Sequence, residues 1–308
     1  MIYKNLFDCV GNTPIVELSN YNLENKTKIY AKVEYFNPAG SVKDRIAKQM
    51  IDTAFLKKQL KEKDTIIEAT SGNTGIGIAC YGAIKKCKVI IVMPEGMSEE
   101  RLILLKAYGA KIILTNKKLG VPGAIHKAYE LLKEIPNSFL LNQFENEENV
   151  NAHYLTTGPE IFNQMNQDID YFVASIGTGG TITGVAKYLK EKNPKIQIVG
   201  VEPKGSPFLS EGKVGKHHIQ GIGSGFCPKI LDLNLIDQII SISDEEAYKT
   251  ANMLAKKEGM CVGMSSGATM AAAITLAKEH KNSKIVILFP DSGERYLSTS
   301  LFKEEESK

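Results

Sequence analysis

Two doubly wound α/β lobes with mostly parallel sheets are what this sequence predicts. The prediction rests on short β-branched runs that alternate with amphipathic segments, on strand runs that are apolar throughout, and on a series that occurs twice. Continuously apolar strands separated by helical stretches imply parallel sheets covered on both faces.

In the first series TIIEA (65–69) leads to GIGIACYGAIKKC (75–87) and then KVIIVMP (88–94). SEERLILLKAYGA (98–110) follows as a helix, with Ser98 as candidate N-cap, acids in its first turn and Gly109 near its end. KIILT (111–115), PGAIHKAYELLKEI (122–135) and SFLLNQF (138–144) complete the series. The second runs DYFVASI (170–176), TGVAKYLKEKN (183–193), IQIVGVEP (196–203), LIDQIISIS (235–243), DEEAYKTANMLAKKEG (244–259), GATMAAAITLAKEH (267–280) and KIVILFP (284–290). A division near residue 145 is expected, with an N-terminal lobe at 1–145 and a C-terminal lobe at 146–308.

Bulk properties exclude several classes. A chain of 308 residues with 43% hydrophobic and 24% charged residues is ordinary for a globular protein. A net charge of +3 with scattered lysines argues against nucleic acid. Runs such as VIIVM (89–93) are strand length, far short of a membrane span, and the N-terminal MIYKNLFDCVGNTPIVEL lacks the apolar core of a signal peptide. Cys9, Cys80, Cys87, Cys227 and Cys261 form no CxxC pair, which suggests reduced thiols and a cytoplasmic protein. The histidines are dispersed, so no metal site is expected.

Three loops lie where open α/β sheets bind ligands, at the carboxyl ends of strands. SIGTGGTITG (175–184) joins a strand to a helix through Gly177, Gly179 and Gly180, with Thr178 and Thr181 beside the free N–H groups of the helix start. That is a phosphate cradle. A nicotinamide site is its rival, with Glu202 as the ribose-binding acid, although the glycine spacing does not match GxGxxG. EATSGNTGIGIA (68–79) sets Thr70, Ser71, Asn73 and Thr74 at another helix start, which suits a carboxylate or phenolate oxygen, or simply a well-capped helix. GMSSGATMAAA (263–273) places Ser265 and Ser266 before an alanine-rich helix, as caps or as ligands.

NPAGSVKDRIA (37–47) sets Lys43 just past a Pro/Gly turn, with Ser41 as candidate N-cap and Asp44 three residues later in the manner of a capping box. Lys43 is either a solvated charge or an amine whose pKa the helix dipole lowers. A phosphate cup, an anion loop and an isolated lysine together suggest pyridoxal phosphate chemistry.

The stretches NPAGSVKDRIA, EATSGNTGIGIA, GTGGTITGVAKYLK, HIQGIGSGF, GMSSGA and GERYLST resemble the cysteine synthase (O-acetylserine sulfhydrylase) family and its near relative cystathionine β-synthase. Both are fold-type II pyridoxal phosphate enzymes of tryptophan synthase β-like architecture. The likeness runs in order from GNTPIVEL (11–18) to GERYLSTSLF (293–302). By this resemblance Lys43 is the Schiff-base lysine, Asn73 meets the cofactor's 3′ oxygen, Gly177, Thr178, Gly179, Gly180 and Thr181 hold its phosphate, and Ser265 meets the pyridine nitrogen. Thr70, Ser71, Gly72, Thr74 and Gln143 correspond to substrate carboxylate contacts, and Gly223 to a loop that closes beside the substrate amine. Ser224 stands where cysteine synthases commonly carry alanine, so its hydroxyl either favours a polar leaving group or bonds the loop.

The resemblance implies β-replacement: O-acetyl-L-serine plus sulfide giving L-cysteine and acetate. LNQF (141–144) and NAHY (151–154) look more like cystathionine β-synthases, which keeps open an enzyme that consumes cysteine and releases hydrogen sulfide while making cystathionine or lanthionine. A nicotinamide-dependent dehydrogenase and a non-catalytic partner of serine acetyltransferase are more distant alternatives. The resemblance also implies a homodimer acting on small-molecule substrates.

Overall fold

The computed structural model describes residues 2–20, 25–70 and 72–303. The chain begins with β1 (Ile15–Glu17), β2 (Lys28–Val33) and α1 (Lys43–Leu56). Next come β3 (Thr65–Ala69), α2 (Asn73–Ile84), β4 (Lys88–Pro94), α3 (Glu99–Ala107), β5 (Lys111–Thr115), α4 (Gly120–Glu134) and β6 (Ser138–Leu140). A helical stretch follows: α5 (Glu148–Ala152), a π-helical turn (His153–Thr157) and α6 (Gly158–Gln164). The remainder is β7 (Tyr171–Ser175), α7 (Gly180–Lys192), β8 (Gln197–Pro203), the single turn α8 (Phe208–Glu211), β9 (Gln238–Ile242), α9 (Asp244–Glu258), α10 (Met264–Glu279) and β10 (Lys284–Phe289).

Two sheets form, ordered β1-β2-β10-β7-β8-β9 and β5-β4-β3-β6. Every pairing is parallel except β1 with β2. The expected, mostly parallel α/β architecture is therefore what the chain adopts. The division at residue 145 does not coincide with the sheets, because β2 pairs with β10 from the far end of the chain. Strand β6 is shorter than SFLLNQF suggested: Asn142 takes a φ of +56°, which asparagine tolerates better than most residues, and turns the chain off the sheet.

Burial explains why the apolar runs read so clearly. All five residues of β3 are buried, and α2 buries every residue from Thr74 to Gly82, as a helix apolar all round must. Alanines 268, 272, 273 and 277 of α10 pack in one core with Ile285, Ile287 and Phe289 of β10. The small side chains let the helix lie close on the sheet. Among the described residues no helix is long and apolar enough to cross a membrane, no cluster could hold a metal ion, and all five cysteines are free thiols.

Candidate active site

The site is built on the first turn of α1. The Asn37–Gly40 turn closes with Gly40 N donating to Asn37 O at 2.8 Å, and Gly40 takes a φ of +81°. Ser41 Oγ accepts from Lys43 N at 3.2 Å. The expected capping box on Ser41 is incomplete: Ser41 Oγ takes the N–H of Lys43 rather than that of Asp44, while the Asp44 carboxylate accepts from Ala39 N at 2.6 Å and from the Ser41 hydroxyl at 3.5 Å. Arg45, the next residue, grips Glu34 with Nε and Nη2 at 2.7 and 2.9 Å and Glu160 at 2.7 Å. Such forked, charge-assisted bonds fix the helix start firmly. Lys43 is thereby aimed into a cavity between the sheets. Its burial holds the amine below its ordinary pKa, against the opposing pull of Asp291 and Glu34.

The glycine-rich loop forms the facing wall. β7 ends at Ser175, Gly179 takes a φ of +84°, and Gly180 opens α7. A Cβ at Gly177 would stand 2.5 Å from the Gly221 carbonyl, so only glycine lets these two backbones meet. Thr178 Oγ1 accepts from Asn149 Nδ2 at 3.1 Å and from Gly180 N at 3.4 Å, which leaves its own proton free to donate. Gly177, Thr178, Gly179 and Thr181 line the cavity that Lys43 enters; Gly180 lies behind it at the helix start.

Thr70, Gly72, Asn73 and Thr74 line the same cavity from the loop between β3 and α2. Ser71 lies outside the described residues. Thr74 donates to Gln143 Oε1 at 2.6 Å and Gln143 Nε2 donates to Ala69 O at 2.8 Å, so the glutamine braces this loop. Asn73 accepts from Arg295 Nη1 at 2.5 Å and donates to Asp291 Oδ2 at 2.6 Å, with one N–H to spare. Gly223 and Ser224 line the cavity too. The Ser224 hydroxyl donates to Gly177 O at 3.2 Å, tying its segment to the glycine loop. Ser265 lines the cavity from the first turn of α10, whose cap is Gly263 rather than either serine.

Every described residue that the resemblance assigns to the site, except Gly180, thus meets at one cavity. A partly buried amine, two helix N-termini of opposite walls and a separate hydroxyl fit an aldehyde cofactor that carries a phosphate. Glu202 is engaged elsewhere. It accepts from Leu209 N at 2.8 Å and Ser210 N at 3.2 Å, capping α8 rather than facing the cavity. This removes the ribose-binding acid on which the dehydrogenase alternative relied.

Sequence reasoning missed Arg101, Tyr296 and His153. Arg101 Nη2 donates to the Tyr296 hydroxyl at 2.9 Å, and Arg101 Nη1 bonds Gln220 Oε1. Arg101 and Tyr296 line the cavity. Tyr296 stood within GERYLST, whereas Arg101 looked like any charge on a helix face. His153 backs the glycine loop through Thr181, at 3.1 Å.

Comparison with known proteins agrees with this geometry. The sequence profile described as pyridoxal-phosphate dependent enzyme matches residues 6–291. A probable cysteine synthase of Bacillus subtilis is 50% identical over 305 residues, 98% of each chain. A cysteine synthase B of Campylobacter jejuni is 47% identical over 301 residues, 98% of this chain and 99% of the relative. Among solved structures, a hydrogen sulfide-producing enzyme of Fusobacterium nucleatum superposes with a TM-score of 0.94 at 44% identity, covering 96% of this chain and all of the other.

Proposed function

Because the chain belongs to the pyridoxal-phosphate dependent enzyme family, we propose that it exchanges the substituent on the β-carbon of an amino acid, making L-cysteine and acetate from O-acetyl-L-serine and sulfide. The observation that carries this reading is the partly buried Lys43 side chain in one cavity with two anion-ready helix N-termini. Bound there, pyridoxal phosphate supplies the electron sink that acidifies the substrate's α C–H bond and lets the β-substituent leave. The start of α7, with Thr178 and Thr181, would hold the phosphate. Asn73 would offer its remaining N–H to the 3′ oxygen, and the Ser265 hydroxyl would meet the ring nitrogen.

The start of α2, with Thr70, Ser71, Gly72, Thr74 and Gln143, takes the substrate carboxylate. Lys43 Nζ, kept uncharged more readily by burial, accepts the α-proton as general base. Gly223 and Ser224 border the reacting side chain, and the bond from Ser224 to Gly177 O supports the loop-holding role of its hydroxyl.

A second reading, consumption of cysteine with release of hydrogen sulfide, has its own support. A cleft of about 540 Å³ opens beside the cavity and shares Val121, Gln220, Gly221, Ile222 and Gly223 with it. That leaves room for an amino-acid thiol as well as sulfide. The likeness to the Fusobacterium enzyme points the same way. Specificity constants decide between them: O-acetylserine with sulfide against cysteine with and without homocysteine. Rapid sulfide release from cysteine with little cysteine synthesis would reject the first reading. A cytoplasmic homodimer, with serine acetyltransferase as a partner, completes the proposal; the free thiols support the compartment, and sedimentation tests the assembly.

A further inference from the structure

The phosphate loop is backed by one stripe of buried polar side chains. Asn149 and His153 stand one turn apart on the helical stretch that precedes α6, both buried. Asn149 Nδ2 donates to Thr178 Oγ1 at 3.1 Å, and His153 Nε2 lies 3.1 Å from Thr181 Oγ1. On its other side His153 Nδ1 lies 2.9 Å from Thr157 Oγ1. His153 opens the π-helical turn and Thr157 ends it, a local widening often found at functional sites. Glycines let α7 lie this close. A Cβ at Gly180 would overlap the Asn149 side chain, and one at Gly184 would stand 2.8 Å from His153 Cβ.

The ring has one N–H to give. Burial first, then the cations of Arg45 and Lys43, push the imidazole down to about 3, with only Glu34 opposing, so it is neutral at physiological pH. That single proton faces either Thr181 or Thr157. If Thr181 donated to the ring, its lone pairs would turn toward the cavity and repel an anion. If the ring donates to Thr181, the threonine proton is free for the anion. Thr178 is already arranged in the second way by Asn149.

We propose that His153 is a positioning residue held as the Nε2–H tautomer, so that with Asn149 it turns both threonine hydroxyls of the loop outward as donors to the cofactor's phosphate. This rests on the reading that residues 177–181 hold that phosphate.

Histidine-labelled holoenzyme tests it by long-range proton–nitrogen correlation, with His153 assigned by its loss in His153→Gln. The Nε2–H pattern is expected, and an Nδ1–H pattern overturns the proposal. Titration of apoprotein with pyridoxal 5′-phosphate gives a second readout. His153→Leu should weaken binding about tenfold, whereas His153→Gln, which keeps an N–H near the Nε2 position, should stay within about threefold. Equal weakening in both variants, each melting as a folded protein, overturns the proposal. If Thr178→Val and Thr181→Val both leave the affinity unchanged, the phosphate is not at this loop, and the site assignment itself falls.

Discussion

Arg101 Nη2, on α3 of the four-stranded sheet, donates to the Tyr296 hydroxyl at 2.9 Å, beyond the end of β10 of the six-stranded sheet. Tyr296 in turn donates to Asp291 at 2.7 Å, and Asp291 accepts from Asn73 at 2.6 Å. The chain of bonds leaves one sheet, crosses to the other and returns to the loop before α2. Arg101 also reaches Gln220, so its guanidinium bridges groups on two sides of the cavity while buried itself.

Arg101→Leu should therefore act on substrate capture. Loss of buried, charge-assisted bonds is expected to raise KM for the amino acid about tenfold or more, with a smaller effect on kcat. Tyr296→Phe removes a buried donor to Asp291 and should cost about 1–3 kcal/mol of stability as well. Steady-state kinetics and denaturant melts check both, and an unchanged KM in Arg101→Leu would contradict the bridging role.

Much of this arrangement was legible in the sequence because burial on both faces leaves an apolar signature. β3, β4, β8 and β10 are runs that no exposed segment could carry. The glycine loop was legible because Gly177 and Gly179 meet steric demands that other residues cannot. Arg101 was not, since SEERLILL does not say which side of α3 faces across a cleft. Nor were β1 and β2, whose membership in the larger sheet depends on β10 some 250 positions later. His153 was hidden for a similar reason: a π-helical turn has no composition of its own, and Thr181 comes from a different element.

Glu68 lies buried under the loop before α2, with Oε1 accepting from Gln143 N at 3.3 Å and Oε2 without a partner among the described residues. Burial pushes its carboxyl up to about 8 from 4.5, against the pull of backbone N–H groups including that of Gln143. Between those values the unfolded chain releases a proton that the folded chain keeps, so stability falls as pH rises through this window. Glu68→Gln removes that contribution. The variant should melt about 3 °C or more above the parent at pH 8, with the gap closing toward pH 4. Asp44, pushed up to about 7 by its burial, adds a slope of the same sign that persists in the variant. A parallel pair of melting curves across this range would refute the assignment.

Gly177→Ala tests the backbone contact beneath the phosphate loop. The added methyl would meet the Gly221 carbonyl at 2.5 Å and force the two segments apart. Strain of about 1–3 kcal/mol is expected, with a larger relative loss of affinity for pyridoxal 5′-phosphate than of stability. Cofactor titration beside thermal melting separates the two. Full affinity in a folded Gly177→Ala protein would show that the contact does not shape the cradle.

The whole reading of the site depends on Lys43 as the attachment point of the cofactor. Borohydride reduction of the yellow holoenzyme, followed by peptide mass spectrometry, is the decisive experiment. One phosphopyridoxyl group is expected, carried on Lys43 and absent from Lys43→Ala; a label on any other lysine, or none on a cofactor-saturated protein, would contradict it.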